Sequence, residues 1–218
     1  SAFYNSFNHF IFYRKLQASG GNDSTVNVDG SDLTAFKFDQ TNATLSGFEA
    51  TLDIHPHPLD WLHFENTFSL TTGKLKEAIE SSEYLPFIPA PRLISEVRCN
   101  FNKLTNVVAN FYAKVELDNT FNQDKIFTAY NTETATPGYS LLNAGIGADF
   151  TGANGRTLFS LHLAGINLAD VAYQNHLSRL KYGAENMATG RMGVFNMGRN
   201  FSIKLNIPLT TKIKSNKS

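Results

Sequence analysis

Residues 44–70 alternate between apolar and polar side chains on both sides of a proline-containing turn. The apolar positions are Phe48, Ala50, Leu52 and Ile54 before the turn, and Leu62, Phe64, Phe68 and Leu70 after it. Successive side chains of a strand point to opposite faces of a sheet. Residues 55–60 (HPHPLD) cannot continue either strand, because proline lacks the N–H that a ladder requires. The stretch therefore predicts a long antiparallel hairpin with one apolar and one polar face.

The same period of two recurs along most of the chain. It is clearest in residues 107–118, where every second residue from Val107 to Leu117 is apolar and no helical period fits. Taken together, the pattern predicts an all-β, antiparallel up-and-down meander of about eight long strands. These lie near residues 1–16, 33–54, 61–70, 92–101, 107–118, 139–150, 157–163 and 199–209.

The connections between these strands alternate in length. Residues 55–60, 102–106 and 151–155 are short turns, whereas residues 17–32, 72–91, 119–138 and 168–198 are long polar connections. Within the second long connection, LKEAIESSEY is predicted to form one or two helical turns. Short turns at one rim and long loops at the other are typical of outer-membrane barrels.

The polarity pattern alone leaves two environments open for the apolar face. In a soluble β-sandwich or a lipocalin-like barrel this face would pack a core, whereas in a membrane barrel it would contact lipid. Predicted strands of 11–15 residues are longer than usual for a sandwich, which favours the barrel. Aromatic residues near strand ends match interfacial girdles, and they are Trp61, Tyr84, Tyr139 and Phe201.

Composition narrows the function further. The 218 residues carry 19 basic and 19 acidic side chains, so the balance does not predict a nucleic-acid partner. The single cysteine, Cys99, excludes an intrachain disulfide and a cysteine-cluster metal site. His55 and His57 have no third ligand nearby in sequence, so neither a metal site nor a cofactor is predicted. We also find no nucleophile–base arrangement, and the chain is not predicted to be an enzyme.

Charged residues concentrate on the predicted polar faces. In a barrel they would form a lumen wall, in which opposite charges on neighbouring strands pair with one another. The residues of this predicted wall are Glu49, Glu65, Arg92, Glu96, Arg98, Lys114 and Glu116.

Several motifs, in order, make the chain resemble the C-terminal barrel portion of TonB-dependent outer-membrane receptors. SGFEATLDIHPHPLDWLHFENTFSL is similar to that family's G-[LF]-E strand, periplasmic turn and ascending strand. YLPFIPAPRLISEVRCNF is similar to its proline-marked descending strand, and GINLADVAYQNHLSRLKY to its N-L-x-D-x-x-Y segment. MGRNFSIKLNIPL resembles its closing strand. The resemblance covers essentially the whole chain.

The resemblance implies a 22-stranded transmembrane barrel in the bacterial outer membrane, to which residues 1–209 contribute the last eight strands. A signal peptide, a TonB-contacting segment and a plug are then expected upstream of Ser1. The implied function is active uptake of a scarce nutrient of siderophore, haem, cobalamin or glycan type. The implied partners are outer-membrane lipid, the nutrient and, through the plug, the TonB complex. Residues 210–218 form a basic polar tail where the family commonly ends near an aromatic residue.

Under this topology the long loops are extracellular and carry recognition, since loops on a rigid scaffold commonly do so. The substrate candidates in the last long loop are Tyr173, His176, Arg179, Lys181 and Tyr182. One alternative remains beside the receptor: a self-contained eight-stranded outer-membrane barrel with a structural or adhesive role.

Overall fold

The computed structural model describes residues 1–209, so the predicted tail at 210–218 lies outside the described residues. Thirteen strands and two short 3-10 helices make up the regular structure of this part. The strands are β1 (Ala2–Lys15), β2 (Thr25–Val28), β3 (Ser31–Thr34), β4 (Phe36–Ile54), β5 (Leu62–Ile79), β6 (Ser82–Tyr84), β7 (Arg92–Lys103), β8 (Val108–Thr120), β9 (Tyr139–Thr151), β10 (Thr157–Ile166), β11 (Glu185–Asn186), β12 (Arg191–Met192) and β13 (Asn200–Asn206). The 3-10 helices are Ala129–Asn131 and Arg179–Tyr182.

One sheet contains the eight long strands as an antiparallel meander in the order β1-β4-β5-β7-β8-β9-β10-β13. The predicted all-β, up-and-down fold is therefore confirmed. The short strands lie in the long loops, where β2 pairs with β3, β6 with β5, and β11 with β12. Within residues 1–209, the two outermost strands β1 and β13 do not pair with each other, so the sheet is open. The described residues thus do not form a closed eight-stranded barrel.

The apolar face of the sheet is largely uncovered within the described residues. Direct cross-strand partners share a face, and one row runs through Phe64, Val97, Val115, Ala144 and Gly165. Val97 is 42% exposed and Val115 is 51% exposed. A soluble sandwich would bury these side chains, because monomeric soluble proteins rarely expose large continuous apolar patches. Within the described residues this face therefore does not pack a core.

The buried core lies under the long loops, on the face that is polar elsewhere in the sheet. Phe12 of β1 packs against Phe127 of the β8–β9 loop with ring centroids 5.5 Å apart. Leu75 packs against this cluster, and Ala43, directly across from Leu75, is fully buried. At the long-loop end this face thus carries apolar side chains, because the loops fold over what is the polar face nearer the short turns.

The segment around LKEAIESSEY differs from the predicted helical turns. β5 continues to Ile79 and turns back through Glu80 and Ser81 into β6, with Ile79 directly across from Ser82. Both turn residues have positive φ, at 46° and 68°, as two-residue hairpins require. Pairing between strands therefore overrides the weak local helix preference of this stretch.

Tyr139 also differs from its predicted interfacial position. Thr120 is its direct partner at the start of β9, so Tyr139 shares the polar face with Leu141 and Asn143. Its ring packs against Tyr173 of the last long loop, with centroids 4.4 Å apart. By contrast, Trp61 stacks on Phe101 at the short-turn end, with centroids 5.4 Å apart. Among residues 1–209 there is no helix with the length and apolar character needed to cross a membrane.

Candidate functional site

A row of acidic side chains crosses four strands on the polar face. Asp53, Glu65, Glu96 and Glu116 are direct neighbours in register on β4, β5, β7 and β8. Lys114 lies beside the last two, with its Nζ 2.7 Å from Glu96 Oε2 and 3.3 Å from Glu116 Oε2. One lysine thus neutralises part of the β7–β8 end of this acidic row.

The remaining predicted wall residues lie on the same face. Glu49 lies directly across from Ser69, and Arg98 lies between His63 and Lys114 in register. The Arg98 guanidinium donates from Nε to Asn100 Oδ1 at 2.8 Å and lies over the ring of Tyr112, 4.5 Å from its centroid. Its bonding partners therefore lie on its own strand and on β8.

Arg92 and Asp118 form a two-bond ion pair at the long-loop end of this wall. Arg92 Nε donates to Asp118 Oδ1 at 2.7 Å, and Nη2 donates to Oδ2 at 2.6 Å. The Asp118 side chain is 9% exposed, whereas that of Arg92 is 49% exposed. Such bidentate pairs fix the orientation of both side chains. Arg92 can therefore present its outer edge to the space beside it.

That space is a cavity of about 410 Å³ between the polar face of the sheet and the last long loop. The sheet contributes Arg92, Asp118, Tyr139 and Leu141 to its lining, and the loop contributes a second group of residues. These loop residues are Tyr173, Asn175, His176, Leu177 and Asn196. The lining combines phenol rings, amides, an ion pair and apolar carbons, which suits a small ligand with aromatic and hydrogen-bonding groups.

Burial raises the pKa of the Tyr173 phenol above its ordinary value, and the nearby Tyr139 and Asp118 act in the same direction. The phenol is therefore a neutral hydrogen-bonding group at physiological pH. Asn175 Nδ2 donates to Tyr139 Oη at 3.4 Å, which links loop and wall within the cavity.

His176 lies at the boundary between the cavity and a buried polar cluster. Its Nδ1 is 2.9 Å from Thr136 Oγ1, and its Nε2 is 3.4 Å from Glu133 Oε1. Lys181 donates to the Thr134 carbonyl at 2.9 Å and to Thr136 Oγ1 at 2.7 Å. Side chains of the last long loop therefore hold the β8–β9 loop in place.

Arg179 and Tyr182 also hold loops together. The Arg179 guanidinium lies 4.4 Å from the ring centroid of Phe36 and 4.6 Å from that of Phe87. Tyr182 Oη accepts a hydrogen bond from Thr134 N at 3.2 Å. Arg179 thus joins the last loop to β4 and to the β6–β7 connection.

The five loop candidates fall into two groups in the structure. Tyr173 and His176 line the cavity, whereas Arg179, Lys181 and Tyr182 contact other loops. Sequence reasoning did not identify Tyr139, Leu141 and Asn196 as cavity residues. The face of Tyr139 could have been found by counting in steps of two from Asn143, but the position of Asn196 follows only from loop packing.

Comparisons with known proteins give a likeness of fold. No protein-family model matches the chain, and no curated protein matches it. Among solved structures, the chain is similar to the copper transporter OprC, with a TM-score of 0.70 and 14% sequence identity. The alignment covers 94% of this chain and 28% of that chain, so the chain spans less than a third of that transporter. This likeness and the observed sheet bear out the predicted fold class, an all-β antiparallel meander that forms part of a transmembrane β-barrel.

Proposed function

We propose that the chain forms part of the wall and external loops of a TonB-dependent outer-membrane receptor that takes up a scarce nutrient. One observation carries the proposal: the apolar face of the sheet is exposed among the described residues, while its charged face lines a cavity that the long loops cover. A barrel wall in lipid needs this polarity, since lipid-facing and lumen-facing residues alternate along each strand. The fold likeness to a transporter supports the same reading.

The open edges of β1 and β13 support a larger barrel over the self-contained one. Backbone groups left unpaired at a sheet edge within lipid cost several kcal/mol each, of the order of 2–7. Further strands on both sides would satisfy these groups. A barrel of about 22 strands is wide enough to need a plug, which is the element through which TonB would act.

The ligand we propose is a siderophore, haem, cobalamin or glycan-type nutrient, bound in the cavity beside Arg92, Tyr139 and Tyr173. A paired arginine and two phenols offer charge-assisted hydrogen bonds and stacking surfaces to such molecules. The proposed location is the bacterial outer membrane, with the long loops outside and the short turns in the periplasm. No enzymatic step is proposed for this site.

The test measures accumulation of labelled nutrients from this panel by cells that make the full-length protein, with and without TonB. We expect uptake of one nutrient to stop without TonB. In addition, Tyr173→Ala should weaken binding of that nutrient to cells, whereas Arg191→Ala, at an exposed loop hairpin outside the cavity, should not. Uptake that persists without TonB would contradict the energy-coupled mechanism. Equal binding of the nutrient by both variants would contradict the cavity as the ligand site.

A further inference from the structure

Three potential metal ligands converge at the short-turn end of the β4–β5 hairpin. Asp53 and His55 are two residues apart and so project from one face. The register pairs Ile54 with Phe64, which places His55 opposite His63 as the hairpin closes. His55 Nε2 lies 2.8 Å from Asp53 Oδ2, and the two imidazole rings have centroids 4.3 Å apart. One ligand atom from each of the three residues lies within 4.8 Å of the others.

The donor set matches a divalent ion of the zinc type. Two imidazole nitrogens and one carboxylate oxygen are ligands that Zn²⁺ binds at about 2.0–2.2 Å, so bound ligand atoms lie within about 4.4 Å of each other. The observed ligand atoms lie within 4.8 Å of one another, close to this limit, so binding would need side-chain rotations that bring them nearer together. The side chains of Asp53 and His55 are 45% and 50% exposed, which leaves room for such rotations. Glu65, directly across from Asp53, could supply a fourth oxygen.

The local charge also favours a cation. Asp53 and Glu65 form the β4–β5 end of the acidic row, whereas Lys114 pairs with Glu96 and Glu116 at its other end. Among residues 1–209, neither Asp53 nor Glu65 forms an ion pair with a lysine or arginine. The nearest basic neighbour in register is Arg98, across from His63, and its guanidinium bonds to Asn100 and Tyr112 instead.

We propose that Asp53, His55 and His63 bind one divalent transition-metal ion of the zinc type at the short-turn end of the polar face. This site lies at the opposite end of the strands from the loop-roofed cavity and goes beyond the proposed function. It needs only the hairpin, so it does not depend on a nutrient, a plug or TonB.

The chain offers a matched control for the test. His57 lies on the same turn, two residues from His55, but its side chain is 87% exposed and it is not among the three converging residues. Titration of the purified full-length protein with Zn²⁺ in detergent micelles, followed by calorimetry, should show one saturable equivalent that His57→Ala leaves unchanged. His55→Ala and His63→Ala should each lower affinity by at least about tenfold, since even outer-shell partners contribute about 10–100-fold.

Circular dichroism and tryptophan fluorescence of the variants, unchanged from wild type, establish that the protein is still folded. Absence of saturable Zn²⁺ binding by the wild-type protein overturns the proposal. So does an equal loss of affinity in His57→Ala and His63→Ala. Both outcomes are independent of nutrient uptake, which is measured on cells.

Discussion

Tyr112 on β8 and Gly147 on β9 are direct partners in the sheet, and the tyrosine ring lies where a side chain at position 147 would be. A Cβ added to Gly147 would lie 2.5 Å from Tyr112 Cε1, and it would also collide with His162 Nδ1. Tyr112 Oη is 3.4 Å from that same nitrogen. The missing side chain of Gly147 therefore makes room for the Tyr112–His162 contact across three strands of the wall.

Gly147→Ala is expected to destabilise the protein by about 1–3 kcal/mol, the usual cost of overpacking. Gly145→Ala is the matched control. A Cβ there would be 3.5 Å from its nearest neighbour, so its effect should stay within about 0.5 kcal/mol. Urea unfolding in lipid vesicles, followed by tryptophan fluorescence, measures the stability of both variants. Equal stability of the two variants would mean that Tyr112 and His162 move aside without cost.

Val115→Lys tests which medium contacts the apolar face. Val115 lies in the middle of β8 and is half-exposed. A lysine at the midplane of a lipid-facing strand costs about 2–4 kcal/mol. Phe38→Lys is the control. Phe38 is 80% exposed and lies 16 positions before the last residue of β4 (54 − 38), more than the roughly 9–11 residues that a strand needs to cross lipid. The free energy of unfolding in vesicles should fall only for Val115→Lys, and an equal change in both would argue against lipid at this face.

Arg92→Ala leaves the carboxylate of Asp118 nearly buried and without its cation. The expected loss of unfolding free energy is about 1–3 kcal/mol, typical of a buried polar group that loses its partner. Arg92→Lys keeps the positive charge but not the two parallel donors, so it should lie between wild type and Arg92→Ala. Unfolding by urea separates the three proteins. Equal stability of Arg92→Lys and wild type would show that a positive charge alone, without the two parallel hydrogen bonds of the guanidinium, is enough to stabilise buried Asp118.

Arg179→Ala is expected to loosen the last long loop. The guanidinium lies against Phe36 and Phe87, and contacts of this kind contribute about 0.5–2 kcal/mol. Hydrogen exchange in residues 168–198 should therefore become faster. Arg191→Ala is the control from the same loop. The Arg191 guanidinium contacts one ring only, that of Phe195 at 5.2 Å from its centroid, so this variant should accelerate exchange less than Arg179→Ala does. Comparable exchange in both variants would contradict a specific role for Arg179.

Tyr173 predicts a pH dependence at the alkaline end. Its folded-state pKa is raised by burial above the ordinary value of about 10. The associated stability is fully present below that ordinary value and is lost as pH rises through the higher folded-state pKa. Tyr173→Phe cannot ionise, so between pH 9 and 11 its free energy of unfolding should fall less than that of wild type. Parallel pH profiles would contradict burial of the phenol.

Local sequence was sufficient for the existence of the eight long strands and for their two faces, but the prediction ended β5 near residue 70, whereas the strand continues to Ile79. Alternation with period two is a property of a single strand, and it is strong in residues 48–54 and 107–117. The alternation of short turns and long loops could also be read directly, because each connection is local. The helical turns predicted near residue 79 failed since pairing with β6 is not encoded in local propensity.

Functional placement depended on contacts between residues far apart in the chain. The row from Asp53 to Glu116 exists only in the register of four strands. Arg179 contacts Phe36, which is 143 positions away in sequence (179 − 36). His55 and His63 lie on different sides of the short turn in sequence, and closure of the hairpin brings their rings together. The period-two alternation of side chains along a strand determines which face of the sheet a residue occupies. Register and loop packing, which arise from many weak non-local contacts, determine which residues on that face meet.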